Sequence, residues 1–364
     1  MKLLILTQKV DQRDPILGFF HRWLEELAKN CEQVIVIALG VGDFNLPANV
    51  RVLSLGKPAQ GWSLPAGRLG ALGGEKWWGK FLVLIKFFTY LWQERHNYDK
   101  VFVHMNPIYV VLAGWYWRLV GRPVGLWYTH RQVDWKLRIA EKLATVIFTA
   151  APESFQLKSA KLIVTGHGID TVAFVCPAKV RNTGSFVIMA VGRLTRIKHL
   201  DILLKAATLF KENISTPFII RLVGEAVTAD DKKYLSELQS ISHHNQLETL
   251  IDWRGAVSPE QIKTLYCEAD LTVNLAPTGG LDKAVLESMA AGVPVLTSNQ
   301  AFRDYLSPYQ NDLLLEGLQI EELSEKLQAL IVRSDRGELG LALQRTVAVR
   351  ADLSQLIKTI VSKL

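Results

Sequence analysis

Short apolar runs alternate with amphipathic stretches from end to end of the chain, and no other feature limits its fold so strongly. Residues 3–6, 34–37, 50–53, 101–104, 124–128 and 146–149 each read as a buried strand, and a fresh series begins at Phe186. Strands separated by helical stretches form largely parallel sheets with helices on both faces. The predicted fold class is α/β, with two Rossmann-like doubly wound domains. A chain of 364 residues is long enough to give each its own core. The polar, turn-rich run 176–185 (CPAKVRNTGS) sets the expected boundary, giving domains 1–178 and 179–340.

Composition narrows the class. With 49% apolar and 21% charged residues the chain is an ordinary globular protein. The opening MKLLILT meets Lys9, Asp11, Arg13 and Asp14 too soon for a signal peptide and reads as the first core strand. Cys31, Cys176 and Cys267 are scattered singly. That spacing predicts neither a disulfide framework nor a cysteine-rich metal site, and it favours a reducing cytoplasm. Residues 1–178 hold 21 Lys+Arg against 13 Asp+Glu, net +8, so the remainder is net −1 and the two restore the overall +7. A basic half fits an anionic acceptor or membrane surface. No recognition-helix or zinc-finger pattern accompanies it, so no nucleic-acid partner is expected.

Residues 274–297 (NLAPTGGLDKAVLESMAAGVPVLT) carry the most chemistry. An apolar strand runs to Leu275, Pro277 to Gly280 prevent its continuation, and Asp282 is a good N-cap for a helix through Met289 that Gly292 and Pro294 end. Gly279 and Gly280 let backbone amides approach an anion, and the helix's positive end favours phosphate. Glu287 lies one turn beyond Lys283. Alone, the segment fits equally an ordinary strand-to-helix turn with a surface Lys283/Glu287 pair.

A second stretch, 187–207 (VIMAVGRLTRIKHLDILLKAA), repeats the logic with cations. Its strand enters Gly192, Arg193 follows at once, Lys198 comes shortly after, and Leu200, Leu203, Leu204 and Ala207 start an amphipathic helix. Arg as a fork and Lys as a point charge suit a diphosphate.

Together the two stretches resemble the retaining glycosyltransferases of family 4, whose GRLxxxKG-like and E-x7-E segments hold a nucleotide sugar. The resemblance continues through 218–225 (FIIRLVGE, with Gly224), 250–255 (LIDWRG, with Arg254) and 262–270 (IKTLYCEAD), and covers the C-terminal half almost continuously. In the N-terminal half it rests on Gly18 after the first strand, His130 after the strand 124–128, and 166–170 (GHGID) near the hinge. It implies a GT-B fold, two domains facing a central cleft, and a C-terminal helix (341–364) packing back on the first domain. It further implies transfer of a hexose-like unit with retention from a nucleotide diphosphate sugar to a glycan or lipid-linked acceptor. No other cofactor and no metal are implied. Arg193 and Lys198 would stabilise the leaving diphosphate and His130 would act on the acceptor side. Gly18, Gly224, Arg254, Gly279, Gly280, Asp282, Lys283, Ala284 and Val285 would line the donor site, with the amides of 283–285 on the phosphates and Glu287 on the ribose. One departure stands out: where E-x7-E expects its first carboxylate, this chain has Gly279. That puts sugar recognition in question more than phosphate binding, with Asp282 or a backbone amide as substitutes.

Residues 67–97 mix Trp77, Trp78, Phe81, Phe88 and Trp92 with Lys76, Lys80, Lys86 and Arg95. Such a helix either packs in the core or lies at a lipid interface, and its apolar runs are too short to span a bilayer. Three other motifs fail. In 74–80, G-x4-G-K is followed by Phe81 where a P-loop needs Ser or Thr. Gly40-Val-Gly42 has Asn45 at the third glycine position of a nicotinamide fingerprint. There is no D-x-D to hold a metal on a diphosphate. Two rivals share the architecture: a nucleotide-sugar epimerase and a catalytically altered nucleotide-sugar binder. The expected location is the cytoplasm, either free or peripheral on the inner face of the membrane.

Overall fold

A computed structural model describes residues 1–14, 17–57, 74–177, 184–277 and 279–364. Most of the expected linker 176–185 lies outside them, as do the side chains of Trp77 and Trp78. Contacts divide the chain into Met1–Thr165 with Leu353–Leu364, and Gly166–Asp352.

The first unit is built on seven parallel strands: β1 (Lys2–Val10), β2 (Gln33–Val41), β3 (Val50–Lys57), β4 (Lys100–His104), β5 (Val124–Trp127), β6 (Val146–Thr149) and β7 (Leu162–Val164). Their order, β3-β2-β1-β4-β5-β6-β7, reverses between β1 and β4. That is the doubly wound pattern expected from the alternation. The edge strand β7 is only three residues (LIV) and none of them is fully buried, too short a run to stand out as a strand in the sequence. On one sheet face α2 (Gly74–Gln93), α3 (Ile108–Leu119) and α4 (Trp135–Leu143) cover a core that includes Leu4, Ile35, Val101, Phe87 and Trp117. On the other, α1 (Phe19–Asn30) packs over Leu3, Ile5, Val34 and Phe102.

The second unit repeats the plan with five strands: β8 (Phe186–Val191), β9 (Phe218–Val223), β10 (Ile251–Gly255), β11 (Leu271–Asn274) and β12 (Val295–Thr297), in the order β10-β9-β8-β11-β12. Around them lie α5 (Leu200–Phe210), α6 (Ala229–His244), α7 (Pro259–Glu268), α8 (Lys283–Ala290), α9 (Gln310–Leu313), α10 (Ile320–Val332) and α11 (Arg336–Arg350). Helix α10 packs on α5, and α11 on α8. Reciprocal side-chain and backbone bonds cap α6 at Thr228 and α7 at Ser258.

The terminal helical stretch is two helices, not one. After α11 the Ala351 carbonyl accepts from the Ile169 amide at 2.8 Å and Asp352 accepts from the Thr171 hydroxyl at 2.7 Å. These non-local bonds interrupt the helix and tie 166–171 to the second unit. The last helix, α12 (Leu353–Lys363), then packs on α1 in the first unit.

Candidate donor site at the switch point of the second sheet

Strand order in the second unit reverses between β8 and β11, so their carboxyl ends splay apart into the crevice where open α/β sheets hold ligands. The two stretches singled out in the sequence end there. Lys198 leaves the turn after β8, and its Nζ donates to Asp282 Oδ2 at 2.6 Å. Asn274, the last residue of β11, donates from Nδ2 to the same oxygen at 2.9 Å. The other carboxylate oxygen caps α8, accepting from the Ala284 amide at 3.1 Å.

The Asp282 carboxylate therefore engages the lysine and the Ala284 amide of α8 at once. The Val285 amide is also used, donating to the Asp282 carbonyl at 3.2 Å. Burial works against ionisation of this carboxyl, but the Lys198 charge and hydrogen bonds from Lys198, Asn274 and Ala284 hold it below its ordinary value of 3.8.

One turn along α8, Glu287 is buried, and its Oε1 lies 3.2 Å from Lys283 Nζ. The Tyr266 hydroxyl on α7, fully buried, is shared between the Ala284 carbonyl at 3.1 Å and Glu287 Oε2 at 3.3 Å. Burial, followed by the charges of Glu287 and Asp282, raises its pKa well above the usual tyrosine value, so it stays a neutral donor. Tyr266 and Asn274 were not picked out as site residues. Tyr266 sits on a different helix, where sequence spacing carries no hint of the contact.

Gly224 ends β9 against β8: a Cβ there would lie 2.0 Å from the Gly192 carbonyl oxygen, and its φ is +139°. Only glycine allows the two strand ends to approach so closely. Gly279 has φ +134° with open space around it, and the Gly280 carbonyl accepts from Asn299 Nδ2 at 3.1 Å. The missing first carboxylate is thus built into the backbone, which at this position suits glycine and strains a glutamate. Arg193 is exposed, and its charge acts on Asp231 near the start of α6. Arg254 is exposed and tied through Nε to Asp252 at 2.7 Å, an oxygen also held by the buried Arg221 at 2.9 Å. Gly18 precedes α1 and the exposed His130 follows β5, both at the carboxyl edge of the first unit's sheet.

His167, given little weight from sequence, is half-buried with its Nδ1 shielded from solvent. Burial first, then the Lys283 charge, push its pKa down to about 4, with Asp282 opposing. Above an ordinary value of 6.5 the ring is neutral whether the chain is folded or not. As pH falls from there toward about 4 the unfolded chain takes the proton first, so folding stability drops across that window. Urea unfolding of the wild type and His167→Gln at neutral pH and near the lower limit should show the wild type losing more stability. Equal losses would contradict the assignment.

Contrary to the expectation from their spacing, two of the three cysteines pair. Cys176 and Cys267 form a disulfide, with Cα atoms 5.4 Å apart at a sequence separation of 91. Phe174 packs edge-on against Tyr266 at 5.8 Å, which brings the strand-less segment 174–177 onto α7. Single scattered cysteines therefore did pair, through a long-range contact that no local spacing announces. With Cys176 and Cys267 paired, the cysteines no longer favour a reducing compartment, since disulfides persist mainly in oxidising ones. Cys31 is buried and unpaired.

Residues 177–338 match the family model of glycosyl transferases group 1. That match lies wholly within the second unit. No curated protein is significantly similar to the chain in sequence. Among solved structures, HepE of Anabaena in complex with UDP-glucose aligns with TM-score 0.74 at 17% identity, over 100% of both chains. Sucrose-phosphate synthase of Thermosynechococcus elongatus aligns with TM-score 0.71 at 16% identity, over 99% of this chain and 97% of its own. A glycosyltransferase from Rickettsia africae gives 0.73 at 14%, over 99% and 97%. Both units of the chain thus share the GT-B fold of these structures. Within the matched segment, Lys198, Asn274, Asp282, Lys283 and Glu287 come together, while Arg254 belongs to a separate ion network with Arg221, Asp252 and Glu268.

Proposed function

We propose that the protein transfers a glycosyl unit from a nucleotide diphosphate sugar to an anionic or lipid-linked acceptor, with retention, as a family 4 enzyme that needs no metal. The observation that carries this reading is the Lys198–Asp282 pair at the switch point of the second sheet, with Glu287 one turn further along α8. A donor diphosphate would displace Asp282 from Lys198, one anion replacing another on the same cation. Lys198, Arg193 and the opening of α8 would then stabilise charge growing on the departing nucleotide, a preorganised electrostatic role. Glu287, held by Tyr266 and Lys283, has the acceptor oxygens for a ribose diol. The group 1 match supports transfer from a nucleotide sugar, and the UDP-glucose held by HepE makes UDP sugars, and a hexose as the transferred unit, the first to try. Positive charge in the first 178 residues supports an anionic acceptor.

A second reading, a nucleotide-sugar binder without transfer, is favoured by one observation: Gly279 occupies, with a glycine backbone, the place of the family's first carboxylate. A panel of UDP, GDP and ADP sugars tests both. A ligand at about a hundred times its Kd raises apparent stability by about 2.7 kcal/mol. Stabilisation by one base class, with nucleotide released only when acceptor is added, is expected for the transferase. Stabilisation without release in any acceptor mixture would leave the binder, and no stabilisation by any nucleotide would sink both.

A further inference from the structure

The described part of α2 buries one side, with Phe87 and Leu91 in the core, yet its opposite side is also apolar. Phe81, Ile85, Phe88 and Trp92 recur four, three and four residues apart and are 42%, 46%, 40% and 66% exposed. That spacing aligns them in one outward stripe about 16 Å long. On the same sheet face α3 exposes Trp115 and Leu119, at 54% and 79%. A monomeric protein rarely leaves such a patch bare without a partner.

The charges say which partner. Between Gly79 and Gln93, and again through α3, there is no carboxylate, whereas Lys80, Lys86 and Arg118 are exposed. The acid that follows α2, Glu94, is buried and paired with Arg51 at 3.0 Å. At the end of the stripe the Arg95 guanidinium lies 4.2 Å from the Trp92 ring centre, an indole and a cation side by side as at headgroup depth. Two copies meeting through this face would set lysine against lysine, which disfavours self-association.

We propose that the outward face of α2, continued by α3, docks on an anionic lipid bilayer, the stripe entering the acyl boundary and the lysines meeting headgroup phosphates. No described helix is long and apolar enough to cross a membrane, so the attachment is peripheral. The surface lies in the first unit and does not depend on the transfer reaction; its failure and that of the donor site are read by different measurements.

Flotation with phosphatidylglycerol and with phosphatidylcholine vesicles tests it, on the wild type, on Ile85→Glu/Trp92→Glu and on Lys80→Glu/Lys86→Glu. All four positions are exposed, so both variants should unfold at the wild-type temperature. The wild type is expected to float with phosphatidylglycerol and far less with phosphatidylcholine. Each variant should lose about tenfold or more of that partition. A wild type that stays at the bottom of the gradient overturns the proposal, as do variants that float equally well. So would a wild-type dimer in sedimentation, absent in Ile85→Glu/Trp92→Glu, without flotation; that result would give the face to a second copy.

Discussion

Lys198→Ala is expected to lower the rate of sugar transfer by about 10²–10³-fold, the range measured when a preorganised donor to developing negative charge is removed. Lys198 pairs with Asp282 at 2.6 Å, and the diphosphate would take over that contact. The loss should fall on kcat more than on KM, because the charge being stabilised grows in the transition state. The unit should stay folded: Asp282 keeps its bonds from Asn274 and the Ala284 amide, leaving a stability cost of about 1–3 kcal/mol. Arg193→Ala should move activity in the same direction. Steady-state kinetics beside thermal unfolding checks the pair, and a folded Lys198→Ala protein with wild-type turnover would remove Lys198 from the reaction.

Gly224→Ala should produce the largest loss of stability. A methyl group would have to sit 2.0 Å from the Gly192 carbonyl oxygen, in a backbone conformation of φ +139° that side chains rarely adopt. Neither neighbour is a flexible side-chain tip that could swing away. They are backbone atoms of Gly192 and Arg193, just past the end of β8 where it runs beside β9. Relief requires parting those strand ends, at a cost of about 4 kcal/mol, the exceptional end of single substitutions. For a unit of this size the melting temperature would drop by roughly 10 °C. Gly255→Ala is the control: φ is +65°, but nothing lies within 4 Å of the added carbon. Its cost should stay near about 1 kcal/mol. Similar melting temperatures for the two variants would show that strand-end crowding is unimportant.

The sheets were legible because buried parallel strands are apolar on both faces and leave an unmistakable run, as at Leu3 to Leu6 or Phe186 to Val191. The donor segments were legible because glycine, N-cap and charge follow one another over few residues. What joined them was not. Lys198 meets Asp282 across 84 positions, and Cys176 meets Cys267 across 91, distances over which pattern carries no pairing information. Helix α2 defeated the sequence for another reason: being apolar on two sides, it gives no period that separates core from surface. Gly279 was visible as a departure, but only its positive φ shows that the backbone there is shaped around glycine.

The chain's last helix has a consequence for how the protein is made. Leu353, Leu356, Ile357 and Ile360 of α12, with Leu364, fill the same core as Phe20, Trp23 and Phe102. Leu364 also packs beside Gly125 in the middle of the first sheet. Domains usually fold in the order in which the ribosome releases them. Here the amino-terminal sheet emerges with one face covered only in part by α1, and α12, which covers the rest, is synthesised after the whole second unit. The second unit, contiguous in sequence, can finish first, so the order of completion runs opposite to the order of translation.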